Sequence, residues 1–262
     1  MAVRPQDPKQ DRAPVRVRQR LSPQDRERRI VAGAIEFFSR RGLDAQIRDL
    51  AREIGMAHTL LYHYFPTKQA LIDRVYEELF VGRWDPHWEA LLDGPLALED
   101  KLCAVYENYL SVILTPEWIR IIVGSGLSDG AIPQRYFERM RERFFPRVFR
   151  ETRKAFGIRS RAKPSVREHA LLMGFHGGLI YSLGIWPHVY GQQIEGESKD
   201  GLLPLAIRSV IIRDRVQSYL LQVGVVLASP SVVAAPKTMP VLSKPQTKLP
   251  PKPLPKPMRK AA

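Results

Sequence analysis

One cysteine, Cys103, is all that the chain carries in 262 residues. That excludes a disulfide framework within the chain and fits a reducing compartment. Cys103 stands between Leu102 and Ala104 in an apolar helical pattern, and reads as a small core residue rather than a reactive thiol. No run of about 18 apolar residues occurs, so no membrane insertion is expected. The nearest stretch, LLMGFHGGLIYSLGIW, is short and glycine-rich. The opening MAVRPQDPKQ has no apolar region of a secretory signal, which points to a cytoplasmic protein. Two-residue alternation of β-branched side chains is nowhere sustained, so the expected fold class is all-α. Catalytic signatures are missing too: there is no G-x-S-x-G, no phosphate-binding loop and no G-x-G-x-x-G. Neither an enzyme nor a cofactor is expected. His169 and His176 share a helix face without further ligands, so no metal site is expected.

What the chain has in excess is positive charge. The net charge is +14, which favours a polyanionic partner. The surplus is uneven. Residues 229–262 hold seven Lys or Arg, nine Pro and no acid. Such a Lys/Pro tail is biased to polyproline II, cannot pack a core and is expected to be disordered. Residues 1–21 are polar and Arg-rich (PVRVRQR), an arm also expected to be disordered. Between them lie two helical units, 22–80 and 81–228.

The first unit begins at a helix start. Ser22 can cap, Pro23 suits the first helical position and Asp25 favours the positive end of the dipole. Ile30, Ala34, Phe37 and Phe38 then recur at helical spacing up to Gly42. Ile47–Ile54 reads as a second helix, His58–Phe65 as a third, and Thr67 as the cap of a fourth running from Lys68 to about Phe80. Ala51 and Gly55, four apart, have the spacing of a helix-turn-helix over about 46–65: a small residue where two helices cross, then a left-handed turn. In GMAHTLLYHYFPTKQAL the aromatic cluster divides. Leu61, Phe65 and Tyr64 plug the core, while Thr59, Tyr62 and His63 face outward, where a hydroxyl and an imidazole suit phosphate oxygens.

RIVAGAIEFFSRRGLDAQIRDLAREIGMAHTLLYHYFPTKQALIDRVYEELF resembles the N-terminal domain of the TetR family of transcriptional regulators, over roughly residues 24–80. The resemblance rests on a first helix ending FFSRRG, on IRDLAREIGM, on LLYHYF and on the step from Phe65 to Lys68. It implies DNA-backbone contacts by Arg48, Tyr62 and His63, with Gln46 beside them at the start of the second helix. Lys68 is implied as a phosphate clamp, and Ala57, His58, Thr59 and Leu60 as the base-reading end. Two departures stand out. Gln46 and Ile47 replace the family's usual Ser or Thr, and Ala57-His58-Thr59-Leu60 replaces Ser-Lys-Gly-Thr. With fewer polar groups facing the bases, more apolar readout is expected, Leu60 or Ala57 against thymine methyls.

In the second unit, Ala170, Gly174, Gly178 and Ser182 form a small-residue stripe. Leu202, Leu205, Ser209, Ile212, Val216, Tyr219 and Val223 alternate three and four apart as a packing seam. The resemblance implies that two such helices from each chain form a homodimer interface, with Gly174, Gly178, Ser182, Leu205, Ser209, Ile212, Val216 and Tyr219 in it. The dimer would read a pseudo-palindromic operator in double-stranded DNA. The resemblance also implies an apolar pocket, for which Tyr106, Tyr109, Trp118, Phe175, His176 and Tyr181 are the lining candidates, and an apolar or aromatic small-molecule effector. The expected function is a ligand-responsive, nucleoid-associated transcriptional repressor. The competing expectation is a nucleoid-organising or adaptor protein without an inducer.

Overall fold

The first helix starts where capping chemistry puts it. The Ser22 hydroxyl accepts from the Asp25 N–H at 3.0 Å, and Pro23 opens α1 (Pro23–Arg41), where its missing N–H costs nothing. α1 buries Ile30, Val31, Ala34, Phe37 and Phe38 and ends at Gly42, whose φ of 80° glycine adopts without strain. α2 (Ile47–Glu53) and α3 (His58–Tyr64) are joined by a turn in which Gly55 has φ 66° and the Met56 N–H reaches back to the Ala51 carbonyl at 2.8 Å. Thr67 caps α4 (Lys68–Tyr76) by accepting from the Ala70 N–H at 3.0 Å. α4 runs on into a π-helical turn, Glu77–Val81. The computed structural model describes residues 22–190 and 203–228; the basic arm, Leu202 and the Lys/Pro tail lie outside the described residues.

α1 and α2 come closest at Gly33, not only at Ala51. A Cβ on Gly33 would lie 2.5 Å from Ile54 Cγ2, so the crossing needs the bare glycine.

The second unit holds α5 (His87–Asp93), α6 (Leu98–Ile113), α7 (Pro116–Leu127), α8 (Ala131–Arg139), α9 (Phe145–Ala155), α10 (Val166–Ile180), α11 (Trp186–Tyr190) and α12 (Leu205–Ala228). Among the described residues every regular element is helical. Pro146 and Pro187, of a residue type that usually ends or kinks a helix, do not break the chain's helical course. A π-helical turn precedes each, Met140–Phe144 and Tyr181–Ile185, so α8 passes into α9 and α10 into α11. The wider turn spares the ladder the donor that proline lacks. No single helix among the described residues is long and apolar enough to cross a membrane.

Aromatic rings dominate the core. Trp88, Tyr106, Tyr109 and Phe144 are fully buried and meet edge-to-face or tilted, and the Trp88 indole N–H donates to Asn108 Oδ1 at 2.6 Å. A buried ion pair, Lys101 Nζ to Glu151 Oε2 at 2.5 Å, ties α6 to α9.

α12 requires a correction. Ile212, Val216 and Tyr219 are sealed inside the chain, at 2%, 0% and 2% exposure, where α12 packs on α6 and α10. The Tyr219 ring stacks on Phe175 at 5.0 Å and its hydroxyl meets Thr152 Oγ1 at 3.2 Å. The three-and-four repeat is therefore the seam of one chain, because the same spacing serves helices within a chain and between chains. The outward face of α12 carries Val210, Leu221 and Val225, while Leu205, on the buried stripe, is exposed at the start of the helix. Gly174 on α10 is exposed, while Gly178 on α10 and Ser182 in the π-helical turn after it are half-buried.

Candidate nucleic-acid interface and apolar cavity

Gln46 stands at the cap of α2 and Arg48 in its first turn; His58 opens α3, Tyr62 follows one turn on, and Lys68 opens α4. Three helix starts thus converge. Gln46, Arg48, His58, Tyr62 and Lys68 line a single open groove of about 410 Å³, with Ile47 and Asp49. His58 and Tyr62 meet edge-to-face at 4.7 Å, which fixes the phenol over the groove. Asp49 is engaged by Arg52 at 2.6 Å, and Arg40 by Glu36 and Glu53. Among the described residues no acid pairs with Arg48 or Lys68, so both cations are available to a polyanion. The first N–H groups of α4 add their partial charge beside Lys68.

Ala57, Thr59, Leu60 and His63 lie on α3 or at its cap but outside this groove. Ala57, Thr59 and His63 are exposed and Leu60 is half-buried. The division of the aromatic cluster is as read from the sequence: Phe65 is buried, Tyr64 half-buried, Tyr62 and His63 outward.

A second feature is an apolar pocket, about as open to solvent as the groove. This cavity of about 310 Å³ is walled by α6, α7, α8 and α10. Tyr109, Trp118 and His176 line it, as the sequence suggests. Tyr106 and Phe175 do not: both are packed behind the wall, the Tyr106 hydroxyl against His176 Nδ1 at 3.1 Å. Tyr181 is 45% exposed and packs on Trp186 and Tyr190. Sequence reasoning missed Ile119, Ile122, Tyr136, Phe137 and Ile180, which line it together with Val123, Gly126, Pro133, Gly177 and Ile185. Tyr136 was detectable as a polar-tipped aromatic on an amphipathic helix; the aliphatic residues carry no signal that separates lining from core.

The cavity is uncharged. Burial lowers the His176 pKa to about 4, so the ring is neutral at pH 7. Burial likewise pushes Tyr106, Tyr109 and Tyr136 above the ordinary phenol range. The Tyr109 and Tyr136 hydroxyls bond each other at 2.6 Å. The Trp118 indole N–H is buried without an acceptor among the described residues.

The cavity walls also hold the groove. α7 packs along α1. Arg135 on α8 donates to Asp73 on α4 at 2.8 Å and lies over the Tyr76 ring at 3.8 Å. Tyr76 stacks on Phe80, and Phe80 meets Trp118 of the cavity at 5.3 Å.

Comparison with known proteins agrees with this architecture. The family model for bacterial regulatory proteins of the tetR family matches residues 30–75, which span the groove. No curated protein matches the chain. A TetR family transcriptional regulator from Pseudomonas syringae pv. tomato str. DC3000 is similar in structure at TM-score 0.51 and 20% identity, covering 76% of this chain and 96% of its own. A TetR-like transcriptional regulator from Rhodococcus sp. RHA1 aligns at TM-score 0.52 and 14% identity, over 77% and 99% respectively. At these identities the likeness shows the fold.

Proposed function

We propose, for a chain whose N-terminal helix-turn-helix domain is that of the tetR family of bacterial regulatory proteins, that it is a dimeric, ligand-responsive repressor of transcription. The observation that carries this reading is the convergence of Gln46, Arg48, His58, Tyr62 and Lys68 on one groove, where Arg48 and Lys68 pair with no acid among the described residues. Lys68 and the N-terminus of α4 would hold one phosphate, with Arg48 and the Tyr62 hydroxyl on its neighbours. α3 would enter the major groove with Ala57, His58, Thr59 and Leu60 towards the base edges.

The outer faces of α10 and α12 support a dimer. They expose Met173, Gly174 and Gly177, and Val210, Leu221 and Val225. An isologous pairing through this face would set two α3 helices on successive half-sites of an inverted repeat. The cavity supports control by a small molecule. Occupancy would shift α7 and α8, and these hold α1 and α4 through the Arg135 clamp and the Phe80 stack. A coupling of roughly 1–3 kcal/mol would loosen DNA about 5- to 150-fold. Such a protein would reside with the nucleoid, in the cytoplasm.

The test is fluorescence anisotropy of the full chain on its own upstream DNA, over a salt series, with unrelated DNA as competitor. Retention against competitor supports the regulator. Equal binding to all DNA that collapses with salt favours a nucleoid-organising protein instead.

A further inference from the structure

The hydrogen-bond inventory of the cavity wall does not balance. Tyr106 is fully buried and its hydroxyl has one partner, His176 Nδ1. Were Nδ1 protonated, Tyr106 would accept and its own proton would be buried without an acceptor. The assignment that avoids this has Tyr106 donating to Nδ1, which leaves the proton of the neutral ring on Nε2. Among the described residues Nε2 has no partner, and the ring lines the cavity. The Tyr109–Tyr136 contact repeats the pattern. One hydroxyl donates, and the other keeps a proton with no acceptor among the described residues. The Trp118 N–H is a third unmatched donor in the same wall. The remaining lining is apolar, and no charged side chain belongs to it.

We propose that the cavity takes an uncharged, mostly apolar molecule of one or two rings bearing a hydrogen-bond acceptor, such as a ketone, held by His176 Nε2–H and the free hydroxyl of the Tyr109–Tyr136 pair. This rests on the ligand-responsive reading above. The size fits: about 310 Å³ is roughly twice the dry cavity of about 150 Å³ that holds benzene. An anion would shed its hydration with no cation to meet it.

The probes are 1-tetralone, tetralin, which has CH₂ in place of the carbonyl, and 1-naphthoate, each titrated calorimetrically into the full chain. The ketone is expected to bind roughly tenfold tighter than the hydrocarbon, as two neutral hydrogen bonds allow, and naphthoate more weakly than either. His176→Leu should erase most of the ketone preference and His176→Gln, which keeps a donor near Nε2, should restore part of it. If His176→Leu fails to fold, Tyr109→Phe with Tyr136→Phe, which together remove the second donor, makes the same test. Equal binding of ketone and hydrocarbon, stronger binding of naphthoate, or no binding by any probe overturns the assignment. A separate readout keeps the two readings apart. If 1-tetralone binds with the expected preference but leaves affinity for upstream DNA unchanged, the ligand class stands and the ligand-responsive reading falls.

Discussion

Glu168 holds both Ser165 and Arg153, and its replacement by glutamine removes the charge together with one of the two acceptors that Arg153 uses. It is the third residue of α10, where its Oε2 accepts from the Ser165 N–H at 2.7 Å while Ser165 Oγ accepts from its own N–H at 3.2 Å. Both carboxylate oxygens are also taken by Arg153, at 2.6 and 2.9 Å, and Arg153 reaches on to the carbonyls of Ser160 and Ala162. The pair thus clamps the loop before α10 to α9. The Arg153 hydrogen bonds, with those of Ser165, hold the Glu168 pKa down from 4.5 to about 2. The side chains are only 13% and 11% exposed, so solvent screens the pair weakly. A shift of that size corresponds to roughly 3 kcal/mol of stability. Because the folded pKa is the lower one, this stability is present above the unfolded pKa and is lost as pH falls towards about 2. Glutamine in this place would keep the capping box and an acceptor for Arg153 but not the charge. Glu168→Gln should therefore cost about 2–3 kcal/mol at pH 7 in urea unfolding, and the gap should close as the medium is acidified below about pH 5. Protein concentration must be held fixed, since association adds its own stability. A gap under about 0.5 kcal/mol at pH 7, or one that does not narrow in acid, refutes the reasoning.

Three further substitutions separate binding, coupling and packing. Lys68→Ala should weaken all DNA sequences alike and lower the salt slope of binding by about one per protomer, measured by anisotropy. Arg135→Ala removes exposed ion pairs to Asp73 and Glu77 and the guanidinium over Tyr76. It should cost only about 1 kcal/mol in thermal unfolding yet blunt effector-driven release of DNA. Gly33→Ala gains up to about 1 kcal/mol of helix propensity but forces a methyl onto the stiff Ile54 Cγ2, an overlap that costs about 1–3 kcal/mol. Net destabilisation is expected, and Ile54→Ala should relieve it in the double mutant.

Local chemistry was readable in advance and long-range packing was not. Ser22-Pro23, Gly42, Gly55 and Pro66-Thr67 act within a few residues, so the starts of α1 and α4 and the turns after α1 and α2 could be placed from their own residues. The groove residues came from the resemblance to the TetR family rather than from geometry; in the structure three helix starts bring Gln46, Arg48, His58, Tyr62 and Lys68 to one side. The π-helical turns before Pro146 and Pro187 depend on the partner helices, and proline alone reads as a break. The α12 repeat has one spacing for two uses, and only the packing of Ile212, Val216 and Tyr219 against α6 and α10 decides between them. In the cavity, Tyr106 and Tyr109 sit three apart on α6, yet only Tyr109 reaches the lumen. The small rotation that separates lining from backing is set by tertiary fit.

The central claim is that the α2–α3–α4 groove reads DNA as a symmetric pair. The most direct measurement is nuclease footprinting of the chain's own upstream DNA with the wild type, Lys68→Ala and Tyr62→Phe. The account predicts two protected half-sites in inverted repeat, one helical turn or a multiple apart, fading at equal protein concentration in both variants. A single unsymmetrical footprint, or one that both variants reproduce in full, would contradict it.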